Sequence, residues 1–222
     1  MIDLSTWNLT IPQGAPALTI ATPTLVKGFK DSFFHSDTGT LFFWVPVTGS
    51  TSTGSDYPRS ELRETNADGS LRNWQYSAAD NLMKATLMVN QVPSVGKVVI
   101  GQIHVFQGSA PLLKLEYQYK DKTADGNIVA KLRQLPSDAD GTVITLATGV
   151  KLNTRFAYSL HLTKAGELAI NVADKIYTTR LDSKWASSQF YYKAGAYISD
   201  NTGYATEGGM VTFYSLAVTH TK

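Results

Sequence analysis

Arg59, Glu61 and Arg63 stand at alternate positions in the stretch Tyr57 to Glu64, which reads Tyr-Pro-Arg-Ser-Glu-Leu-Arg-Glu. On an extended chain they project from one side while Ser60 and Leu62 project from the other. Side chains two apart on a strand face lie roughly 6–7 Å from each other, so the Glu61 carboxylate is expected to contact and orient both guanidinium groups. A pair of permanently charged planar forks suits bidentate recognition of a carboxylate or phosphate, and the glutamate between them lowers the cost of holding two cations together. A solvated strand face with ordinary surface ion pairs has the same spacing, so this stretch alone does not choose between the two.

Two further stretches carry chemistry. Val98 to Val105 reads Val-Val-Ile-Gly-Gln-Ile-His-Val. Simple alternation puts Val99, Gly101, Ile103 and Val105 on one apolar face and Ile100, Gln102 and His104 on the other. A strand this apolar belongs near the middle of a sheet, where a Gln/His pair needs a reason. A lone histidine in such a strand is more often a hydrogen-bonded structural residue, and His35, His161 and His220, without comparable neighbours, are read as structural or surface. Tyr191 to Ser199 reads Tyr-Tyr-Lys-Ala-Gly-Ala-Tyr-Ile-Ser. Tyr191, Lys193, Gly195, Tyr197 and Ser199 would share one face. An ammonium beside a phenol favours the phenolate and so assists proton exchange. Gly195 leaves room for a ligand to approach the backbone. An aromatic strand of a sugar-binding module is the alternative.

The elements that must position these residues are short strands between turns. Leu41 to Val47, Leu82 to Val89, Gly96 to Phe106, Leu112 to Lys120, Val143 to Ala147, Phe156 to Thr163, Leu168 to Val172, Lys175 to Leu181, Tyr191 to Ile198 and Met210 to Val218 all read as strands. In Leu112 to Lys120, Leu113, Leu115, Tyr117 and Tyr119 alternate with Lys114, Glu116, Gln118 and Lys120, giving one buried and one polar face. Ala-Asp-Gly at 67–69, 124–126 and 139–141 reads as turns, and Asp182 to Ser188 as a short helical turn. The polar, glycine-bearing loop Gly49 to Asp56 leads straight into the Arg59 strand, where it is either a flap over a site or a plain connection. With no long amphipathic helix, the pattern predicts an all-β fold, an antiparallel β-sandwich of jelly-roll type.

Composition sets further bounds. No linker, low-complexity run or charge block divides the 222 residues, so one domain over 1–222 is expected. A formal charge of +2 argues against a nucleic-acid partner bound through a broad basic surface. Absence of cysteine excludes disulfides and thiolate chemistry. Four scattered histidines make zinc improbable, and Asp138 with Asp140 supply too few acidic ligands for a calcium loop, so no metal is expected. No apolar run approaches the roughly 20 residues that span a bilayer, so no membrane partner is expected. The opening Met-Ile-Asp-Leu-Ser-Thr-Trp has no basic segment followed by an apolar one, so no signal peptide is read in it.

Taken in order, the three stretches resemble polysaccharide lyase family 7, the alginate lyases. Arg59-Ser60-Glu61-Leu62-Arg63 resembles that family's R-S/T-E-L-R block, Gln102-Ile103-His104 its Q-I/V-H block, and Tyr191 to Ser199 its Y-x-K-A-G-x-Y-x-Q block. The Trp7-Asn8-Leu9-Thr10 opening is similar to the start of many members. Ser199 departs from the pattern, standing where the family usually has Gln, which bears on substrate preference more than on chemistry. The resemblance implies a concanavalin-like jelly roll with a concave substrate-binding sheet, and β-elimination on alginate without a cofactor. It implies Tyr197 as acid and base, His104 as base for guluronate, and Arg59 with Gln102 neutralising the sugar carboxylate. Arg63, Glu61, Lys193, Lys114, Tyr191 and Ser199 fall to substrate binding. The isoleucine form of the Gln-x-His block implies mixed or guluronate-containing blocks; endo action is a separate expectation. A monomer is expected. The polymeric substrate points to secretion or the periplasm, with the cytoplasm left open. The other classes weighed are a carbohydrate-binding module of the same sandwich type, a lyase on another polyuronate such as glucuronan, and a glycoside hydrolase using Glu61 and Glu116.

Overall fold

The computed structural model describes residues 1–222. In chain order the strands are β1 (Trp7–Gly14), β2 (Ala17–Ile20), β3 (Phe34–Asp37), β4 (Thr40–Pro46), β5 (Arg59–Glu64), β6 (Asp80–Gln91), β7 (Lys97–Val105), β8 (Leu113–Lys120), β9 (Asp125–Leu132), β10 (Thr142–Val150), β11 (Phe156–Leu162), β12 (Glu167–Val172), β13 (Lys175–Arg180), β14 (Phe190–Ile198) and β15 (Gly208–Thr221). They form two antiparallel sheets. An eight-stranded sheet has the order β10-β9-β8-β7-β14-β5-β1-β2, and a seven-stranded sheet the order β13-β12-β11-β6-β15-β4-β3. This is an antiparallel β-sandwich of jelly-roll type. The one α-helix, α1 (Thr22–Val26), is five residues long, and the helical turn expected near 182–188 is a 3-10 turn at Ser183–Trp185 capped by Asp182.

The two sheets share one continuous core of 43 buried residues. On the eight-stranded sheet a core-facing row crosses six strands through paired residues Leu9, Leu62, Ala194, Gly101, Leu115 and Ala130. One residue along each strand, on the opposite face, runs a second row: Asn8, Arg63, Lys193, Gln102, Lys114 and Lys131. Because side chains alternate with period 2, burying the first row in register obliges the second to line up on the outside. The chemistry-bearing residues therefore share a face through core packing, across segments far apart in the chain.

The alternation expected in β7 is reversed on the N-terminal side of Gly101, where Ile100 lies in the core and Val99 does not. Val99 pairs with Glu116 while Gly101 pairs with Leu115, so Ile100 is an extra residue in a β-bulge. Ile100 accordingly joins the core instead of sharing the Gln102 and His104 face. The bulge is closed from the other sheet: Tyr158 of β11 donates its hydroxyl hydrogen to the Ile100 carbonyl at 3.0 Å. Strands β1, β2, β3 and β9 were not expected. The turn at 124–126 is shorter than read, since Asp125 and Gly126 already open β9.

Gly101 makes room for that closure, because a Cβ built there would lie 2.5 Å from the Tyr158 hydroxyl. Gly101→Ala is expected to destabilise the protein by about 1–3 kcal/mol, the usual range for overpacking a tight core. Urea denaturation measures this, and an unchanged midpoint would show that the bulge is not wedged by Tyr158.

Candidate active site

Strand β14 lies between β7 and β5, and the three bring the sequence-predicted residues together. Arg59 comes from β5, Gln102 and His104 from β7, and Tyr191, Lys193 and Tyr197 from β14; with Lys114 of β8 they line a cleft of about 650 Å³. One wall is the segment Ser52 to Tyr57 and another is Gln107 to Ser109 with Pro111. The first wall belongs to the loop read as a flap or a connection. The second was not anticipated, although a Gln-Gly-Ser-Ala-Pro turn immediately after the Gln-x-His strand was the available signal.

Glu61 is placed beneath this surface, with its side chain 1% exposed. It receives Lys193 Nζ at 2.5 Å, Arg59 Nη1 at 3.1 Å and Gln102 Nε2 at 2.5 Å. Burial pushes its carboxyl up, but Lys193, Arg59 and the hydrogen bonds to Lys193 and Gln102 outweigh that and hold it below the usual carboxylate range. Since a carboxylate can only accept, the Gln102 amide must direct its nitrogen towards Glu61, leaving that nitrogen's second hydrogen uncommitted. Burial lowers Lys193 to about 8, against the attraction of Glu61 and with help from Arg59 and Arg63.

The expected pairing of Glu61 with both arginines is corrected here. Glu61 binds Arg59 and Lys193; Arg63 turns away and donates to the Glu64 and Arg72 carbonyls and, at 2.5 Å, to Asn73 Oδ1. The alternation rule placed the two arginines on one face correctly, but the closer partners came from a neighbouring strand and a loop. Arg63 still touches the site indirectly. Its guanidinium lies 4.0 Å from the Tyr191 ring centroid, and Tyr191 in turn stacks on His104 at 5.2 Å and 22°. Neither Arg63 nor Glu61 lines the cleft, and Ser199 sits one residue past the end of β14, also outside the lining.

Arg59 stacks on Tyr197, 3.9 Å from guanidinium carbon to ring centroid, and the Lys114 ammonium is 5.6 Å from the same centroid. Burial lowers Lys114. His104 Nδ1 lies 3.0 Å from the Val105 carbonyl, which can only accept, so Nδ1 carries hydrogen and Nε2 of the neutral ring keeps a lone pair. Burial, reinforced by Lys193, lowers His104 to about 3, so the ring is neutral near pH 7. The site thus combines anion-binding donors, an imidazole lone pair and a phenol within a single cleft.

The hydrolase pairing of Glu61 with Glu116 finds no geometric support. Glu116 is 1% exposed, bound by Lys131 at 2.9 Å and Gln118 at 2.7 Å, and neither carboxylate reaches the cleft. A third buried glutamate, Glu64, escaped the sequence reading. It accepts from Trp74 Nε1 at 2.9 Å and the Tyr192 amide at 3.0 Å, and meets His220 Nε2 at 2.5 Å. His220, read as structural or surface, is structural: its Nδ1 lies 2.6 Å from Asn81 Oδ1, and it ties β15 of one sheet to β5 of the other.

Comparison with known proteins adds to this geometry. Residues 2–220 match the family model described as Alginate lyase. An alginate lyase from Klebsiella pneumoniae is 27% identical, covering 98% of this chain and 89% of its own length. The crystal structure of an alginate lyase from Pseudomonas aeruginosa superposes with a TM-score of 0.95 at 42% identity, covering 98% of this chain and 99% of that one. A second solved structure, an alginate lyase described as a member of polysaccharide lyase family 7, gives a TM-score of 0.87 at 31% identity over 100% of this chain and 97% of its own. That protein was also solved as a tyrosine-to-phenylalanine variant with a product written GGG, and as a variant adding a histidine-to-asparagine change with a substrate written GGMG.

The depressed pKa of His104 has a sign that can be measured. Between about 3 and the ordinary 6.5 the unfolded chain binds a proton at this residue that the folded protein does not. Its contribution to stability is therefore complete above pH 6.5 and is lost as pH falls towards 3. His104→Gln is expected to flatten that part of the Tm against pH profile relative to wild type; parallel profiles would mean that His104 titrates normally.

Proposed function

The chain belongs to the alginate lyase family and is a polysaccharide lyase, and from that premise we propose that it cleaves alginate by β-elimination at the 1,4 linkage in this cleft. The observation that carries the reading is the convergence of Arg59, Gln102, His104 and Tyr197 from three adjacent strands, with Glu61 fixing two of them from beneath.

Elimination removes the C5 proton, breaks the bond from C4 to the glycosidic oxygen, and leaves a C4–C5 double bond. The difficulty is that charge develops beside a carboxylate that is already negative. Arg59 and the free hydrogen of the Gln102 amide are assigned to that carboxylate, stabilising the enolate-like charge; single donors of this type are typically worth roughly 3–4 kcal/mol. Lys114 and Lys193 add positive potential. Tyr197 protonates the departing oxygen and, where the C5 proton lies on the same side of the ring, also removes it. For guluronate His104 is the base. Its lone pair on Nε2 suits that role, and an incoming carboxylate favours the protonated imidazole, so the base strengthens when substrate binds.

We assign endo action and a preference for mixed or guluronate-containing blocks. The polar row runs past the cleft on both sides, to Asn8 at one end and to Lys131 beyond Lys114 at the other, as binding an internal stretch of polymer requires. The relative's complexes with GGG and GGMG, reading G as guluronate and M as mannuronate, agree with that preference. Ile103 is fully buried beneath Gln102 and His104, so its influence on preference is indirect and graded.

Two measurements test this reading. Tyr197→Phe is expected to fold normally and to lose about 10²-fold or more of turnover, the lower end of what general acid–base catalysis contributes; a folded variant releasing ultraviolet-absorbing unsaturated ends at near wild-type rate would remove the phenol from the mechanism. Across separated blocks, kcat/KM is expected to be highest on mixed polymer, with both homopolymers cut into short oligomers, and Ile103→Val is expected to shift preference towards polymannuronate. A wild-type enzyme that cuts only polymannuronate would overturn the assignment.

A further inference from the structure

The guanidinium of Arg59 is occupied in an unequal way. Nη1 donates to Glu61 Oε2 at 3.1 Å, and Nη2 donates to the Ser55 hydroxyl at 2.7 Å. Nε is buried and has no partner at all. A charged donor shut away from water without an acceptor is unfavourable, so this edge of the fork is incompletely satisfied by what now covers it. The Nε and Nη2 edge is a two-donor edge that a carboxylate matches with two oxygens. Ser55 offers one neutral oxygen.

Ser55 is also weakly tied to the rest of the protein. Its hydroxyl donates to the Tyr57 carbonyl at 3.1 Å and its amide to the Ser52 carbonyl at 2.9 Å, both local contacts. The loop is anchored at its flanks, where the Ala17 amide donates to Thr51 and Asn201 donates to the Asp56 carbonyl. Between those anchors, the only hydrogen bond that residues 52–55 make beyond Tyr57 is the one from Arg59. The segment that walls the cleft is therefore fastened to it through the residue assigned to the sugar carboxylate.

We propose that Ser55 is a displaceable internal ligand of Arg59, seated where one oxygen of a uronate carboxylate binds, and that it acts as a selectivity filter for carboxylated sugar. The proposal rests on the reading of Arg59 as the carboxylate's partner. A carboxylate replaces one neutral acceptor by two oxygens that share a negative charge and satisfies Nε as well, so it displaces Ser55. A sugar hydroxyl offers no more than Ser55 already does, so an uncharged polymer gains nothing by the exchange. Displacement also releases the 52–55 segment from the cleft floor, coupling recognition of the acid to movement of the wall.

The test compares wild type, Ser55→Ala and Ser55→Thr on alginate. Removing the competing hydroxyl is expected to lower KM by roughly three- to tenfold, the equivalent of one modest hydrogen bond, while Ser55→Thr, which keeps the hydroxyl, stays near the wild-type KM. The same three side chains placed in the Tyr197→Phe background, titrated with alginate oligomers by calorimetry, report binding without turnover and should show the same order. A fall in kcat with KM unchanged or raised in Ser55→Ala would mean that the serine holds Arg59 in its working position, and would overturn the proposal. Equal binding by all three would also overturn it while leaving the lyase reading intact. Failure of every protein to bind or cleave alginate would instead remove the lyase reading, and the proposal with it.

Discussion

The buried carboxylate of Glu61 is the contact on which the site depends. Three donors from three strands meet it: Arg59 beside it on β5, Lys193 on β14 and Gln102 on β7. Each would be expensive to bury alone, and removing the shared acceptor from such a cluster typically costs about 3–5 kcal/mol, because uncompensated charge stays behind. The arrangement leaves the cleft with more positive than negative charge while pinning the donors that supply it. A surface of freely rotating lysines would have similar charge and none of the pre-organisation. Glu61 does not touch the cleft, so its influence passes entirely through the side chains it holds.

Much of this was legible in the chain because strand alternation is a strong constraint. Tyr191, Lys193 and Tyr197 were expected on one face, as were Gln102 and His104, and both sets line the cleft. The sandwich followed from the density of short apolar runs. What could not be read were contacts chosen by neighbours distant in sequence. Arg63 found carbonyls at 64 and 72 and the side-chain oxygen of Asn73, and Lys193 took the place against Glu61 that spacing had assigned to Arg63. Spacing along one strand says which side chains share a face; it does not rank them against donors arriving from the next strand.

The bulge at Ile100 marks another limit. A period of two assumes one residue for each residue opposite, and an inserted residue reverses every face beyond it. Here the reversal puts Ile100 in the core, while Gln102 and His104, both on the C-terminal side of the bulge, keep their common face and reach the cleft. Glu64 escaped for a different reason. It falls on the core-facing phase, where a carboxylate is unexpected, and its partners Trp74, Tyr192 and His220 come from a loop and two other strands.

The position of β14 carries a consequence for how the protein comes into being. β5 and β7 both precede β14 in the chain, yet they are not neighbours; residues 190–198 must be inserted between them before Arg59 and His104 face a common space. Until that happens β5 and β7 each keep one edge that the final partner has yet to cover. Closing them requires contacts across long stretches of sequence, the kind that form slowly. β14 thus supplies Tyr191, Lys193 and Tyr197 to the cleft and also covers the facing edges of β5 and β7. Completion of the cleft and pairing of those two edges are then the same event.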